Sequence, residues 1–342
     1  MIKFFDGGMG SMLNLAAGEL PEKLNISDPE RVFAVHDAYA KAGAQFITAN
    51  TFGANSLKYD NVDELVKAGV ALAKKAGKKV ALDLGPTGKL LKPMGDLEFE
   101  KAVELFGEVV RAGKDGSDVA IIETMSDMYE LKAAVLAVKE NSDLPIITSM
   151  IFDESGRLLT GGDVKSAVAM LEGLRVDAIG FNCGLGPKQM IPLVKELREC
   201  TSLPIIVMPN AGLPESVDGK TVYNVSPDEF ANDMKEIAEL GVSILGGCCG
   251  TTPAHIKRMI ELCKDIDDNI PEKKNDTVVC SYSTSVTIGQ KPVVIGERIN
   301  PTGKKLFKEA LRNNNIDYII KEGIAQQEKG AHILDVLSLI HI

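Results

Sequence analysis

Residues 204–252 read PIIVMPNAGLPESVDGKTVYNVSPDEFANDMKEIAELGVSILGGCCGTT. The apolar run Pro204–Met208 stops at the turn residues Pro209, Asn210, Ala211 and Gly212. An amphipathic segment from Pro227 to Leu240 follows, and a second apolar run, Val242–Leu245, ends in Gly246, Gly247, Cys248, Cys249 and Gly250. Strand, helix and strand in that order, with too much chain between the strands for a hairpin, is the pattern of a parallel βαβ unit. Read outward, the unit repeats. Six more strand candidates precede it: Ile2–Phe5, Gln45–Ala49, Lys79–Leu84, Val119–Ile122, Pro145–Ile151 and Ala178–Phe181. Helix candidates fill the gaps, as in Asp28–Ala42 with Asp28 as N-cap and Pro29 at the first helical position, and one more, Pro253–Lys264, follows the cap Thr252.

Eight strands alternating with eight helices over residues 1–265 predict an α/β fold, a (β/α)₈ TIM barrel. A doubly wound open sheet is the alternative. The barrel carries the sharper expectation, because its chemistry belongs at the C-terminal ends of the strands. Those ends hold Asp6-Gly7-Gly8, Asn50-Thr51, Gly85-Pro86-Thr87-Gly88, Glu123-Thr124, Asn182-Cys183, Asn210 and the Cys248-Cys249 pair.

Composition narrows the classes of function. The net charge of -10 would repel a phosphate backbone, so nucleic acid is not an expected partner. No stretch approaches the ~20 apolar residues of a membrane span, and the opening MIKFFDGGMG lacks the apolar run and cleavage site of a signal peptide. No membrane association and a cytoplasmic address are therefore expected. In a reducing compartment the six cysteines are thiols rather than a disulfide framework.

Adjacent cysteines in an extended strand point to opposite faces. Cys248 and Cys249 can converge only where the strand has broken, and the glycines around them permit such a break. Cys183, ending the sixth strand, opens on the same barrel mouth. Three thiolates suit zinc, which takes tetrahedral sulfur coordination and keeps a fourth position open in catalytic sites. The alternative is three small buried hydrophobes. Cys200, Cys263 and Cys280 lie away from strand ends and read as structural. His36 and His255 fall on helices, where a satisfied or solvent-facing imidazole is expected. GPTG at 85–88 lacks the Lys-Ser or Lys-Thr of a phosphate loop.

NCGLGP at 182–187, PNAG at 209–212, GGCCGTTPAHI at 246–256 and DGGMGSML at 6–13 together resemble the homocysteine S-methyltransferase domain family over about residues 1–265. The resemblance implies that Cys183, Cys248 and Cys249 are zinc ligands. It implies that Asp6 and Glu123 hold the substrate ammonium and that the amides of Gly7 and Gly8 hold its carboxylate. Asp6 closing a turn and Glu123 pairing with a lysine remain the plainer alternatives. Asn210 faces the same mouth, either as a weak oxygen ligand in the absence of homocysteine or as a turn residue. The implied chemistry is consistent with the thiol's own: near neutral pH only ~3% of a free thiol is ionised. A metal carrying three thiolates keeps a bound fourth sulfur both ionised and nucleophilic.

Residues 266–291 turn polar and read as a linker. At 292–336 a strand Pro292–Glu297, the loop RINPTGKK, a helix from about Asn315 to Lys329 and a strand His332–Val336 begin another α/β barrel. VVIGERINPTGKK resembles the start of the pterin-binding domain that follows the homocysteine barrel in the cobalamin-dependent methionine synthase family. Glu297 and Asn300 match pterin-site positions in a domain expected to be incomplete here. By that resemblance the methyl donor is methylcobalamin carried on a further cobalamin domain, with 5-methyltetrahydrofolate as the ultimate source. Leu337–Ile342, LSLIHI, is what the adapter sequence CTGTCTCTTATACACATC encodes in frame, so an adapter-derived end is expected. Two rivals share the barrel and substrate but take the methyl from S-methylmethionine or another sulfonium, or from betaine. A rival of another class is a non-catalytic zinc-thiolate binding module.

Overall fold

A computed structural model describes residues 1–15, 18–217 and 220–337; residues 338–342, most of the expected adapter-derived end, lie outside the described residues. Two units are compact in themselves. The first comprises Met1–Lys274 with Tyr282–Thr284, and the second Asn275–Ser281 with the chain from Ser285 onward.

The first unit is a (β/α)₈ barrel. Its strands are β1 (Lys3–Phe4), β2 (Phe46–Thr48), β3 (Lys79–Leu84), β4 (Val119–Met125), β5 (Ile146–Met150), β6 (Ala178–Asn182), β7 (Ile205–Met208) and a last strand, Ile244–Leu245. All pair parallel in circular order, with the last strand between β7 and β1. The seam between β1 and β2 is closed by a single parallel bridge, Phe5 to Phe46, whose rings stack at 4.7 Å.

Side-chain alternation along each strand divides the apolar residues into two sets. Phe5, Ala81, Val119, Ile121, Ile147, Ala178, Ile206, Met208 and Ile244 fill the lumen. Phe4, Val80, Leu82, Ala120, Ile122, Ile179 and Val207 face outward into the layer beneath the helices. Strands apolar on both faces are what a sheet covered by helices requires. Helix starts follow the expected chemistry: Asp28 accepts from the Arg31 amide, Asp127 from Tyr129 and Glu130, and Ser226 from Glu229. At one lumen position only glycine fits, since a Cβ on Gly180 in β6 would lie 1.7 Å from the Ile206 carbonyl oxygen.

The polar stretch after the barrel contains structure that its composition concealed. Thr277–Cys280 and Ser285–Ile288 form an antiparallel hairpin. Its turn residue Tyr282 belongs to the barrel unit, where its hydroxyl donates to Asp127 and its ring meets Tyr129 edge-on at 4.6 Å. Beyond it, strands Ile295–Ile299 and Ile333–Val336 pair parallel, with helices Lys305–Arg312 and Ile316–Glu328 between them. The first strand begins three residues later than the apolar run suggests, and the helix Lys305–Arg312 was not expected from sequence.

Among the described residues no helix is long and apolar enough to cross a membrane.

Candidate active site

The C-terminal ends of the barrel strands surround a cavity of about 250 Å³. Asp6, Gly7 and Gly8 enter it after β1, Thr48 from β2, Asp83 from β3, Glu123 from β4, Cys183 after β6, and Cys248 and Cys249 after the last strand. Met9, Phe52 and Met208 supply apolar wall. A cavity of similar size opens at the opposite end of the barrel. Its acids are already engaged, Asp118 and Asp177 by the amides of Val80 and Ile146, and Asp268 by the chain's amino terminus.

The three cysteines converge because both strands that carry them break. Cys183 takes a left-handed backbone, φ +57°, directly after β6, and Gly184 continues it at +68°. The Cys248-Cys249 segment is stitched to its neighbours by main-chain bonds. Gly247 donates to Asp6 O at 2.9 Å, Cys248 to Pro209 O at 2.8 Å, and Cys249 O accepts from Ala211 at 3.0 Å. Gly250 then turns at φ +79° beneath the ring of Tyr223, where a Cβ would come within 2.3 Å of Tyr223 Cγ.

All three sulfurs lie within 4.8 Å of one another, and Cys183 Sγ is 3.9 Å from Cys249 Sγ. Tetrahedral zinc with ~2.3 Å bonds places its sulfurs about 3.8 Å apart, so the spacing fits that ion. Hydrogen bonding with Cys183, Cys248 and Tyr223 pushes the Cys249 thiol down to about 3. Behind Cys248 stands Asn182, whose Nδ2 reaches Cys248 Sγ at 3.8 Å and Thr124 Oγ1 at 2.7 Å. The Asn182 Oδ1 accepts from the Thr124 amide and the Ser149 hydroxyl, both at 2.8 Å, so the amide is locked in place. Such outer partners orient ligands and stabilise thiolate charge.

The acids lie on the side of the cavity formed by β1 to β4. Asp6 is buried, and its two oxygens accept from the Thr48 amide at 2.9 Å and the Thr48 hydroxyl at 2.7 Å. Burial raises its carboxyl to about 7 against the pull of those bonds. Glu123 is raised to about 8, first by burial, then by Asp6 and Cys249. Asp83 is raised by burial, then by Glu123, Glu22 and Asp6. Among the described residues no lysine or arginine lines the cavity, so Glu123 has no lysine partner there.

Other residues singled out by sequence fall as follows. Gly7 and Gly8 line the cavity, but the Gly8 amide already donates to Thr251 Oγ1 at 3.1 Å. Asn210 is buried beside the cysteine loops. Its amide donates to Leu185 O at 3.0 Å, while its Oδ1 has no hydrogen-bond partner. His255 caps its own helix through Thr252 and bonds Val225 O at 3.0 Å, whereas both ring nitrogens of buried His36 are unpartnered. In the second unit Glu297 is exposed on its strand, and Asn300 Oδ1 accepts from the Thr302 amide at 2.8 Å.

Sequence reasoning passed over Asp83, Glu22, Thr48 and Thr251. Thr251 is the tie between the two glycine loops: its Oγ1 accepts from Gly8 and donates to Cys248 O at 2.6 Å. Asp83 carried a visible signal as the lone acid in the strand KVALDL.

A family model described as homocysteine S-methyltransferase matches residues 3–263. The methionine synthase of Mycobacterium leprae (strain TN) is 31% identical over 369 aligned residues, and that of Mycobacterium tuberculosis (strain ATCC 25618 / H37Rv) is 32% identical over 364. Each alignment covers 97% of this chain, which spans about 30% of the length of these relatives. Among solved structures, the homocysteine methyltransferase MmuM from Escherichia coli in its metallated form superposes with a TM-score of 0.64 at 23% identity, over 75% of this chain and 95% of that one. Its oxidized form gives 0.65 at 24% identity over 76% and 95%. At these identities the likeness speaks for the barrel fold.

Proposed function

The chain belongs to the homocysteine S-methyltransferase family, and from that premise we propose that its barrel binds zinc and transfers a methyl group to the thiolate of homocysteine, giving methionine. The observation that carries the proposal is the meeting, in one cavity, of three sulfurs at zinc-binding distances with acids that have no basic partner among the described residues. Cys183, Cys248 and Cys249 would hold the metal. Once bound, zinc supplies a Lewis acid that keeps the substrate sulfur ionised at neutral pH. The acids hold the substrate ammonium and so fix which thiol reaches the metal. Asn182 holds Cys248 in register, and Thr251 fixes the cysteine loop against Gly8. The orphaned Asn210 Oδ1 is suited to an oxygen ligand before substrate arrives. The Gly7 amide is assigned to the substrate carboxylate, with Gly8 joining it only by releasing Thr251.

For the methyl donor we propose methylcobalamin, held on a domain outside this chain. Support comes from the two methionine synthases, whose alignments run beyond the barrel over 97% of the chain. On the same reading, residues 292–336 belong to a pterin-binding domain in which Glu297 and Asn300 face the pterin. S-methylmethionine is the competing donor. The test is to incubate the zinc-loaded chain with homocysteine and each donor, with and without a chelator, and to measure methionine. Zinc-dependent turnover from methylcobalamin is expected. It should be slow, because a tethered donor domain would raise local concentration to about the millimolar range. Faster turnover from S-methylmethionine would overturn the donor, and chelator-resistant turnover would overturn the mechanism.

A further inference from the structure

The acids around the cavity differ in what already occupies their oxygens. Both oxygens of Asp6 accept from Thr48. Both oxygens of Glu22 are taken, one by the Gly53 amide and one by the Tyr59 hydroxyl, each at 2.6 Å. Asp83 is different. Its side chain lines the cavity and is only 4% exposed, yet Oδ1 has no hydrogen-bond partner among the described residues.

Strand geometry explains the placement. Ala81 packs in the lumen, so Asp83, two residues on, points to the same side. Asp83 pairs in register with Ile121 of β4, itself a lumen residue, which brings Glu123 one step nearer the mouth on the adjacent strand. Asp6 reaches the group from β1 through Thr48 on β2. A carboxyl oxygen buried without a donor is destabilising. Among the described residues no lysine or arginine side chain lines the cavity to offset it. An ammonium group carries three N–H donors and no acceptor, and three carboxyls from three strands surround one space. A member that keeps its proton still accepts through its carbonyl oxygen, so the set need not carry three charges.

We propose that Asp83 is a third substrate-ammonium contact and the residue that makes the site demand an α-amino thiol rather than any thiol. The proposal rests on the homocysteine reading, because it assigns Asp83 to the amino group of that substrate. Burial and the charges of Glu123, Glu22 and Asp6 raise its carboxyl, and an ammonium placed among these acids would favour its charged form.

The test compares binding of L-homocysteine with that of 4-sulfanylbutanoate, the same thiol acid without its amino group, to the zinc-loaded full chain by calorimetry. Wild type should prefer homocysteine. Asp83→Asn, which keeps the shape but loses the charge, should weaken homocysteine by roughly ten- to a hundredfold. It should leave the desamino thiol within about twofold, and zinc content should stay at the wild-type level. Asp83→Ala removes the acceptor altogether and should cut the preference at least as far. Neither change adds a buried charge, so neither opposes folding on that ground. An unchanged preference in either variant, or an equal loss of both thiols, would refute the role of Asp83. A wild-type chain that bound neither thiol would instead bring down the homocysteine reading itself.

Discussion

Asp6→Asn should make the metal-free barrel more stable at neutral pH while impairing homocysteine binding. Burial holds the Asp6 carboxyl at about 7 against an ordinary value of 3.8. Below pH 3.8 both folded and unfolded chains carry the proton, and the group's stability contribution is complete. Between 3.8 and 7 the unfolded chain has released its proton and the folded chain has not, so unfolding becomes progressively easier as pH rises. At about 1.4 kcal/mol per pH unit, the loss by pH 7 is about 4 kcal/mol, after which it levels off. Asparagine does not titrate and still offers an acceptor to Thr48. The stability difference between variant and wild type should therefore grow from pH 4 to pH 7 by up to about 4 kcal/mol, then stay flat to pH 8. Urea unfolding of the reduced, zinc-free chain, followed by circular dichroism across that range, reads it directly. Parallel stability curves for the two proteins would refute the reasoning, since they would mean that Asp6 titrates alike in both states.

Cys248→Ser or Cys183→Ser should lower bound zinc well below one per chain by atomic absorption while far-UV circular dichroism stays unchanged, because the ligands sit on strand ends outside the core. Glu123→Gln should raise the KM for homocysteine about tenfold or more and retain zinc; loss of the metal would mean that the residue is structural. Thr251→Val removes the hydroxyl that joins Gly8 to Cys248 and should cost about 1–2 kcal/mol in urea unfolding, with zinc released more readily to a competing chelator. Wild-type stability matching that of the variant would deny the tie any energetic role.

The barrel was legible because its strands are apolar on both faces and the polar residues gather at their ends, so that the period and the glycine punctuation agree. The cysteine triad was legible for the same reason, each thiol lying just past a strand. Strand limits were less so. Strand β4 runs to Met125 rather than Ile122, because Glu123 and Thr124 are polar yet remain in the strand, facing the mouth rather than solvent. The hairpin at 277–288 went unread because four-residue strands in a polar stretch give too little periodicity to separate from a linker.

What stayed hidden has a different cause. Thr251 lies 243 positions from the Gly8 amide it receives, and nothing local marks a threonine as the tie between two distant loops. Only ring closure, which puts the last strand beside the first, brings them together. Asp83 is the opposite case, since its two-residue offset from the lumen residue Ala81 already aims it inward. Once the barrel is granted, a charge on a lumen-facing position near a strand's C-terminal end must meet either a partner or a ligand, because the apolar layer beneath offers it neither water nor a donor. The period-two reading that predicts a strand thus also predicts where its stray polar residue must act.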